Sequence, residues 1–125
     1  MNLTLKEEAS VRLLEGPPSG QLFRSIDDVG LLVESCFSNK ARCAVLYAGN
    51  LTDGFFDLSS GEAGAILQKL RQYRIRLAVV CPPGTVRFST RFGEMVEEEA
   101  RGIHFRIFET AEAAREWLGS TAVPQ

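Results

Sequence analysis

Two short runs set the strongest limit on what this chain can fold into. Cys43-Ala44-Val45-Leu46-Tyr47-Ala48 and Leu77-Ala78-Val79-Val80-Cys81 are almost wholly apolar and carry no charged side chain. A strand that is apolar at every position has both faces covered, which is the condition of a strand inside a parallel sheet. Parallel neighbours need long crossover connections, and helices supply them in right-handed units. The intervening segments read as those helices. Ile26, Val29, Val33, Cys36 and Phe37 share one helical face, with Ser25 as cap and Asp28 completing a short capping box. Ala63, Ile66, Leu67, Leu70 and Tyr73 form a second stripe, introduced by Ser59 with Glu62 as its capping box. Phe92, Met95, Val96 and Ala100 form a third that ends at Gly102, and Ala111, Ala114, Trp117 and Leu118 a fourth that starts from Thr110.

Two weaker strand patterns complete the plan. Leu3 and Leu5, then Val11, Leu13 and Leu14, flank Lys6-Glu7-Glu8 and predict an opening hairpin. Ile103, Phe105 and Ile107 alternate with His104 and Arg106, so that strand has a wetter face and belongs near an edge. At 125 residues there is room for one domain. The expectation is a single small α/β domain over residues 1–119, an N-terminal hairpin followed by a mostly parallel sheet with helices, and a flexible C-terminal tail over 120–125.

Several function classes lose support at this stage. No apolar run is long enough to span a bilayer, and the N-terminus lacks the apolar core of a signal peptide. Cys36, Cys43 and Cys81 cannot all pair within one chain, so three reduced thiols in a cytoplasmic protein are expected. One histidine and three scattered cysteines show no metal-ligand spacing, and no phosphate-binding glycine motif follows a strand. No cofactor or metal is expected. Cys81 and His104 sit at opposite ends of their strands and make no catalytic dyad.

The net charge of -2 conceals an asymmetry. Between Ala63 and Gly93 lie Lys69, Arg71, Arg74, Arg76, Arg87 and Arg91 with no acid, so this stretch carries +6 and the remainder -8. Such a separation steers an acidic partner or a second copy of the chain, making homodimerisation one reading; neutralisation between adjacent helices is the simpler one. Nucleic acid is not an expected partner, because no aromatic strand motif accompanies the basic residues.

In open α/β sheets ligands bind beyond the carboxyl ends of the strands. The richest such segment runs from Asn50 through Asp53, Phe55, Phe56, Asp57, Ser59 and Ser60 to Gly61, feeding a helix N-terminus able to hold an anion or a phosphoserine. A structural reading is the stronger on the residues alone: Ser59 caps the helix, Phe55 and Phe56 plug the core, and Asp57 bonds the turn. Asn50, Asp53 and Asp57 with Cys81 and Thr85 form the alternative, a small-molecule or enzyme site at the strand ends.

Phe55-Phe56-Asp57-Leu58-x-x-Gly61-x-Ala63-Gly64-x-Ile66-Leu67-Gln68-Lys69, continuing to Tyr73-Arg74-Ile75-Arg76-Leu77-Ala78-Val79-Val80, resembles a bacterial family catalogued as domain of unknown function 4180. Ser25, Asp28, Leu32, Phe88-Ser89, Phe92 and Arg101-Gly102 fit the same pattern, while Cys81-Pro82-Pro83 and Ala100 depart from it. The resemblance implies a topology like the STAS domain of anti-sigma-factor antagonists. In that fold a serine or threonine heading the helix after the central strand can be phosphorylated to switch partner binding. Asp57-Leu58-Ser59-Ser60-Gly61 is similar to the STAS signature with Leu58 as an extra residue. The function so implied is a non-enzymatic regulatory or protein-binding module. Its switch would be the Asp57–Gly61 loop, its basic surface Lys69, Arg71 and Arg74, and its target a protein partner not named by the sequence.

Overall fold

The computed structural model describes residues 1–120. Its strands are β1 (Thr4–Glu8), β2 (Val11–Glu15), β3 (Cys43–Tyr47), β4 (Arg76–Val80) and β5 (Phe105–Phe108). Its helices are α1 (Val29–Ser38), α2 (Glu62–Gln72), α3 (Thr90–Glu99) and α4 (Ala111–Ser120). The sheet order is β1-β2-β3-β4-β5, with β1 antiparallel to β2 and every later pair parallel. The expected hairpin and mostly parallel sheet are both present. The hairpin closes through Ala9 and Ser10, both at positive φ (48° and 71°) as a two-residue turn between twisted strands requires.

Alternation along each strand divides the interior in two. Leu14, Ala44, Leu46, Leu77, Val79 and Phe105 face α1, α2 and α3. Leu13, Cys43, Val45, Ala78 and Val80 face α4 with its Ala114, Trp117 and Leu118. β3 and β4 are buried along nearly their whole length, as their apolar runs require, whereas β5 is buried only at Phe105 and lies at the edge.

Two local expectations are corrected. Phe37 and Ile26 are not on the buried stripe of α1, where Val29, Leu32, Val33 and Cys36 stand instead. The helix begins only at Val29, and Phe37 then lies roughly 90° from the stripe's centre at 100° per residue; it is 59% exposed. Tyr73 follows the last residue of α2 and is 37% exposed. At the other end of the chain, α4 reaches Ser120, and residues 121–125 of the expected tail lie outside the described residues.

All three cysteines are free and buried. Burial pushes the Cys36 thiol from its ordinary value of 9.0 up to about 12, with Cys43 adding in the same direction. Burial also raises Cys43, against the opposing pull of Arg76. A thiol raised on folding keeps its proton in the folded state and loses it in the unfolded chain. The stability it contributes is therefore complete below pH 9.0 and disappears as pH climbs to about 12. Three pKa units correspond to ~4 kcal/mol at most. Denaturant midpoints should hold constant through neutral pH and fall steeply above 9.0, with Cys36→Ala flattening the fall. An unchanged midpoint across that alkaline range would contradict this burial.

Candidate functional site

The chain leaves β3 through three short 3-10 turns, 48–50, 53–56 and 58–60, before entering α2. Asn50 is fully buried and occupied on every side. Its Oδ1 accepts from the Tyr47 N–H (2.7 Å), and its Nδ2 donates to the carbonyls of Pro17 (3.0 Å) and Gly20 (2.7 Å). Its own carbonyl accepts from the N–H groups of Leu22 (2.9 Å) and Phe23 (2.8 Å). Asn50 therefore pins the segment after β2 onto the loop and has nothing left for a ligand.

Phe55 and Phe56 are core residues. Phe55 meets Phe56, Phe92 and Phe105 at ring-centroid distances of 5.2, 5.7 and 6.2 Å, and Phe56 stacks on Phe88 at 5.8 Å. This aromatic cluster joins the loop to α3 and β5. Gly54 approaches α2 so closely that a Cβ there would lie 1.5 Å from a carboxylate oxygen of Glu62. The same carboxylate accepts from the Thr52 hydroxyl at 2.9 Å.

What remains exposed is a polar knob. Asp57, Ser59 and Ser60 are all exposed, and all are held within the turn. The Asp57 Oδ1 accepts from the Ser59 N–H (3.1 Å) and hydroxyl (2.7 Å). The Ser60 hydroxyl donates to the Gly54 carbonyl (2.6 Å) and accepts from the Glu62 N–H (3.1 Å). Ser60, and not Ser59, thus closes the start of α2, because Gly61 at φ +80° turns the chain by one extra residue.

The basic residues Lys69, Arg71 and Arg74 do not join this knob. From Ser60 to Lys69 is nine residues, ~13 Å along a helix axis, and Arg71 lies still farther. Arg71 instead pairs with Glu99 of α3, and Arg74 sits beyond the far end of α2. Arg76 is buried, its guanidinium 4.8 Å from the Trp117 ring centroid and donating to the Ile103 carbonyl at 2.8 Å. The +6 stretch is therefore spread over both ends of the sheet and its interior. Ser89, flanked in sequence by Arg87 and Arg91, accepts from the Leu58 N–H at 3.2 Å and so ties the segment before α3 to the base of the knob.

Beside the knob, between the exits of β3 and β4, lies a cavity of about 390 Å³. Gln21, Gly49, Asp53, Phe56, Thr85 and Val86 line it. Cys81 is buried, with its sulfur 3.7 Å from the Thr85 hydroxyl, which itself donates to the Pro82 carbonyl at 2.6 Å. Register sets His104 level with Arg76, five residues or ~16 Å from Cys81 along the sheet. Among the described residues no three His, Cys, Asp or Glu side chains come together as metal ligands.

A second polar centre, absent from the sequence reading, lies under α4. Glu15 ends β2 and is only 5% exposed. It accepts from Arg115 (2.8 Å), the Tyr47 hydroxyl (3.1 Å) and Lys6 (3.3 Å). Burial first, then Glu15, raises the Tyr47 phenol. The signal was present: Glu15 shares a strand face with Leu13 two residues earlier, so a charge at that position must be buried and paired.

A family model described as a domain of unknown function, DUF4180, matches residues 8–118. The chain belongs to the DUF4180 family. The match takes in every helix and parallel strand of the DUF4180 domain, from the end of β1 to all but the last two residues of α4. No curated protein and no solved structure matches it. No helix among the described residues is long and apolar enough to cross a membrane.

Proposed function

We propose that this DUF4180 domain is a non-enzymatic, STAS-like protein-binding module that engages its partner through the turn from Asp57 to Gly61. The observation that carries the reading is the presentation of that turn, exposed at Asp57, Ser59 and Ser60 yet hydrogen-bonded within itself. A preformed polar knob loses little conformational freedom on docking. The aromatic cluster beneath it provides a rigid base. The order of elements, with an antiparallel first strand and helices between parallel ones, is compatible with the STAS-like reading.

The same bonds make the knob switchable. A phosphate on Ser59 would bring ~1.5–2 negative charges against the Asp57 carboxylate, and one on Ser60 would displace the hydroxyl from Gly54. Either change opens the turn. The test is capture of partners by the wild-type chain, followed by titration of the purified partner against Asp57→Ala and Ser59→Asp. Both variants should bind at least about tenfold more weakly, a difference of ~1.4 kcal/mol, while keeping the wild-type circular dichroism spectrum. Wild-type affinity in both would overturn the reading.

A small-molecule site at the strand ends is the second reading, favoured by the cavity of about 390 Å³ that contains Asp53 and Thr85. Thr85→Val, which preserves shape and removes the hydroxyl, separates the two. It would diminish ligand-induced thermal stabilisation without touching partner binding.

A further inference from the structure

At the opposite end of the sheet from the knob, the ends of α1 and α2 come together before β3 and β4. Both helices close in the same way. The N–H groups of Ala41 and Ile75 donate back to Cys36 (2.9 Å) and Leu70 (2.8 Å), and those of Lys40 and Arg74 to Phe37 (3.2 Å) and Arg71 (3.0 Å). This paired pattern is a Schellman motif, which demands a left-handed residue and is met at least cost by glycine. Here the left-handed residues are Lys40 (φ 54°) and Arg74 (φ 57°). A side chain in that conformation costs ~1–2 kcal/mol, so the chain accepts strain twice and obtains a cation each time.

Between the two helix ends opens a cavity of about 410 Å³, within the range of small-ligand sites. Phe37, Lys40, Arg42, Gln72, Tyr73 and Arg74 line it, and no acid does. Among the described residues the side chains of Lys40, Arg42 and Arg74 have no ion pair and no hydrogen bond. Phe37 and Tyr73, the exposed aromatics displaced from their stripes, meet edge to face here at 5.5 Å. Lys69 lies over the Tyr73 ring at 5.5 Å from its centroid, adding a fourth cation at the rim.

We propose that this basic, aromatic-walled cavity binds a small anion carrying a flat ring, with the chemistry of a nucleoside phosphate. Lys40, Arg42 and Arg74 would neutralise the phosphate, and Phe37 with Tyr73 would offer their faces or edges to the ring. Either component alone has a weaker claim. Cations by themselves suit any polyanion, and an exposed aromatic pair by itself suits any apolar contact. Their convergence on one concavity without a competing carboxylate selects a ligand with both parts. The site stands apart from the Asp57–Gly61 turn and does not depend on its role.

The strained positions supply a test that does not confuse binding with folding. Lys40→Gly combined with Arg74→Gly removes two cations while relieving the left-handed strain, so its thermal midpoint without ligand should equal or exceed that of the wild type. Titration calorimetry on the full chain would use adenosine monophosphate, adenosine and pyrophosphate as probes. Adenosine monophosphate should bind saturably and at least about tenfold more tightly than either of the other two, weakening with added salt. The double glycine variant should lose that binding by about tenfold or more, and Phe37→Ala should weaken the monophosphate but not pyrophosphate. No saturable binding at millimolar monophosphate would overturn the proposal. So would binding that both variants leave unchanged, or a preference for pyrophosphate over the nucleotide.

Discussion

Replacing Phe55 with alanine is expected to lower the stability of the domain by about 4 kcal/mol, the largest loss of any single truncation considered. The ring is fully buried and touches three other phenylalanines, one beside it in the loop, one on α3 and one on β5. Truncation removes the transfer free energy of the ring and leaves a void that neither α3 nor β5 can close without losing its own contacts. Edge-to-face geometry adds ~0.5–1.5 kcal/mol for an aromatic pair, so the cost should sit high in the range for such substitutions. Urea unfolding would measure it directly. Because Phe55 anchors the loop, the same variant should also release the Asp57–Gly61 turn, visible as faster amide exchange at Ser59 and Ser60. A loss below about 1 kcal/mol would mean that the cluster is not packed as described.

Glu15 is expected to give the second-largest effect, and for a different reason. Its carboxylate gathers donors from β1, β3 and α4, so it ties together elements on both sides of β2. Removing it strands Arg115, whose side chain is only 24% exposed. Breaking a buried pair in this way costs ~3–5 kcal/mol. Lys6 contributes little, because its side chain is 42% exposed and water replaces its partner. Glu15→Ala should therefore lose about 3 kcal/mol, and Glu15→Gln less, since the amide still accepts hydrogen bonds. A double-mutant cycle with Arg115→Met should return a coupling of ~1–3 kcal/mol. Near-zero coupling would show the two groups to be independent. Tyr47 provides an internal reporter: with the charge at Glu15 gone, its phenol should ionise at lower pH than in the wild type, though burial still holds it above the ordinary value. Ultraviolet absorbance would follow that titration.

These two positions also show what is legible in one dimension. Phe55 could be assigned to the core from its place in a motif that leads into an amphipathic helix. Its partners Phe92 and Phe105 lie 37 and 50 residues away and become neighbours only through the strand order. Glu15 looks like an ordinary charge ending a strand until α4 is folded across that face. The capping of α2 shows the same limit at short range. Ser59 and Ser60 are equivalent as residue types, and the choice of Ser60 follows from a left-handed Gly61 that local pattern does not reveal.

Charge was the least legible property. Counting residues joined Lys69, Arg71 and Arg74 to the loop before α2, but a helix separates its two ends by its own length. The chain that brings the cations near in sequence carries them to the opposite end of the sheet. There Arg74, with Lys69 over the neighbouring Tyr73 ring, meets Lys40 and Arg42 from the preceding crossover, which no count of the +6 stretch includes. The two ends of the domain consequently have different chemistry, a polar hydrogen-bonded knob at one and a basic aromatic cavity at the other.

By itself, the amino-acid order determined the hairpin, the two interior strands, the wetter edge strand, four helices and membership of the DUF4180 family. Those features depend on periodicity, turn residues and motif spacing, which are properties of contiguous segments. Only the tertiary structure decided which helices share a face, which acid lies buried under α4 and which serine closes α2. It alone brought the ends of α1 and α2 together around an acid-free cavity. Each of those outcomes needs contacts between segments distant in the chain, and strand order with its register, not local preference, selects which distant segments meet.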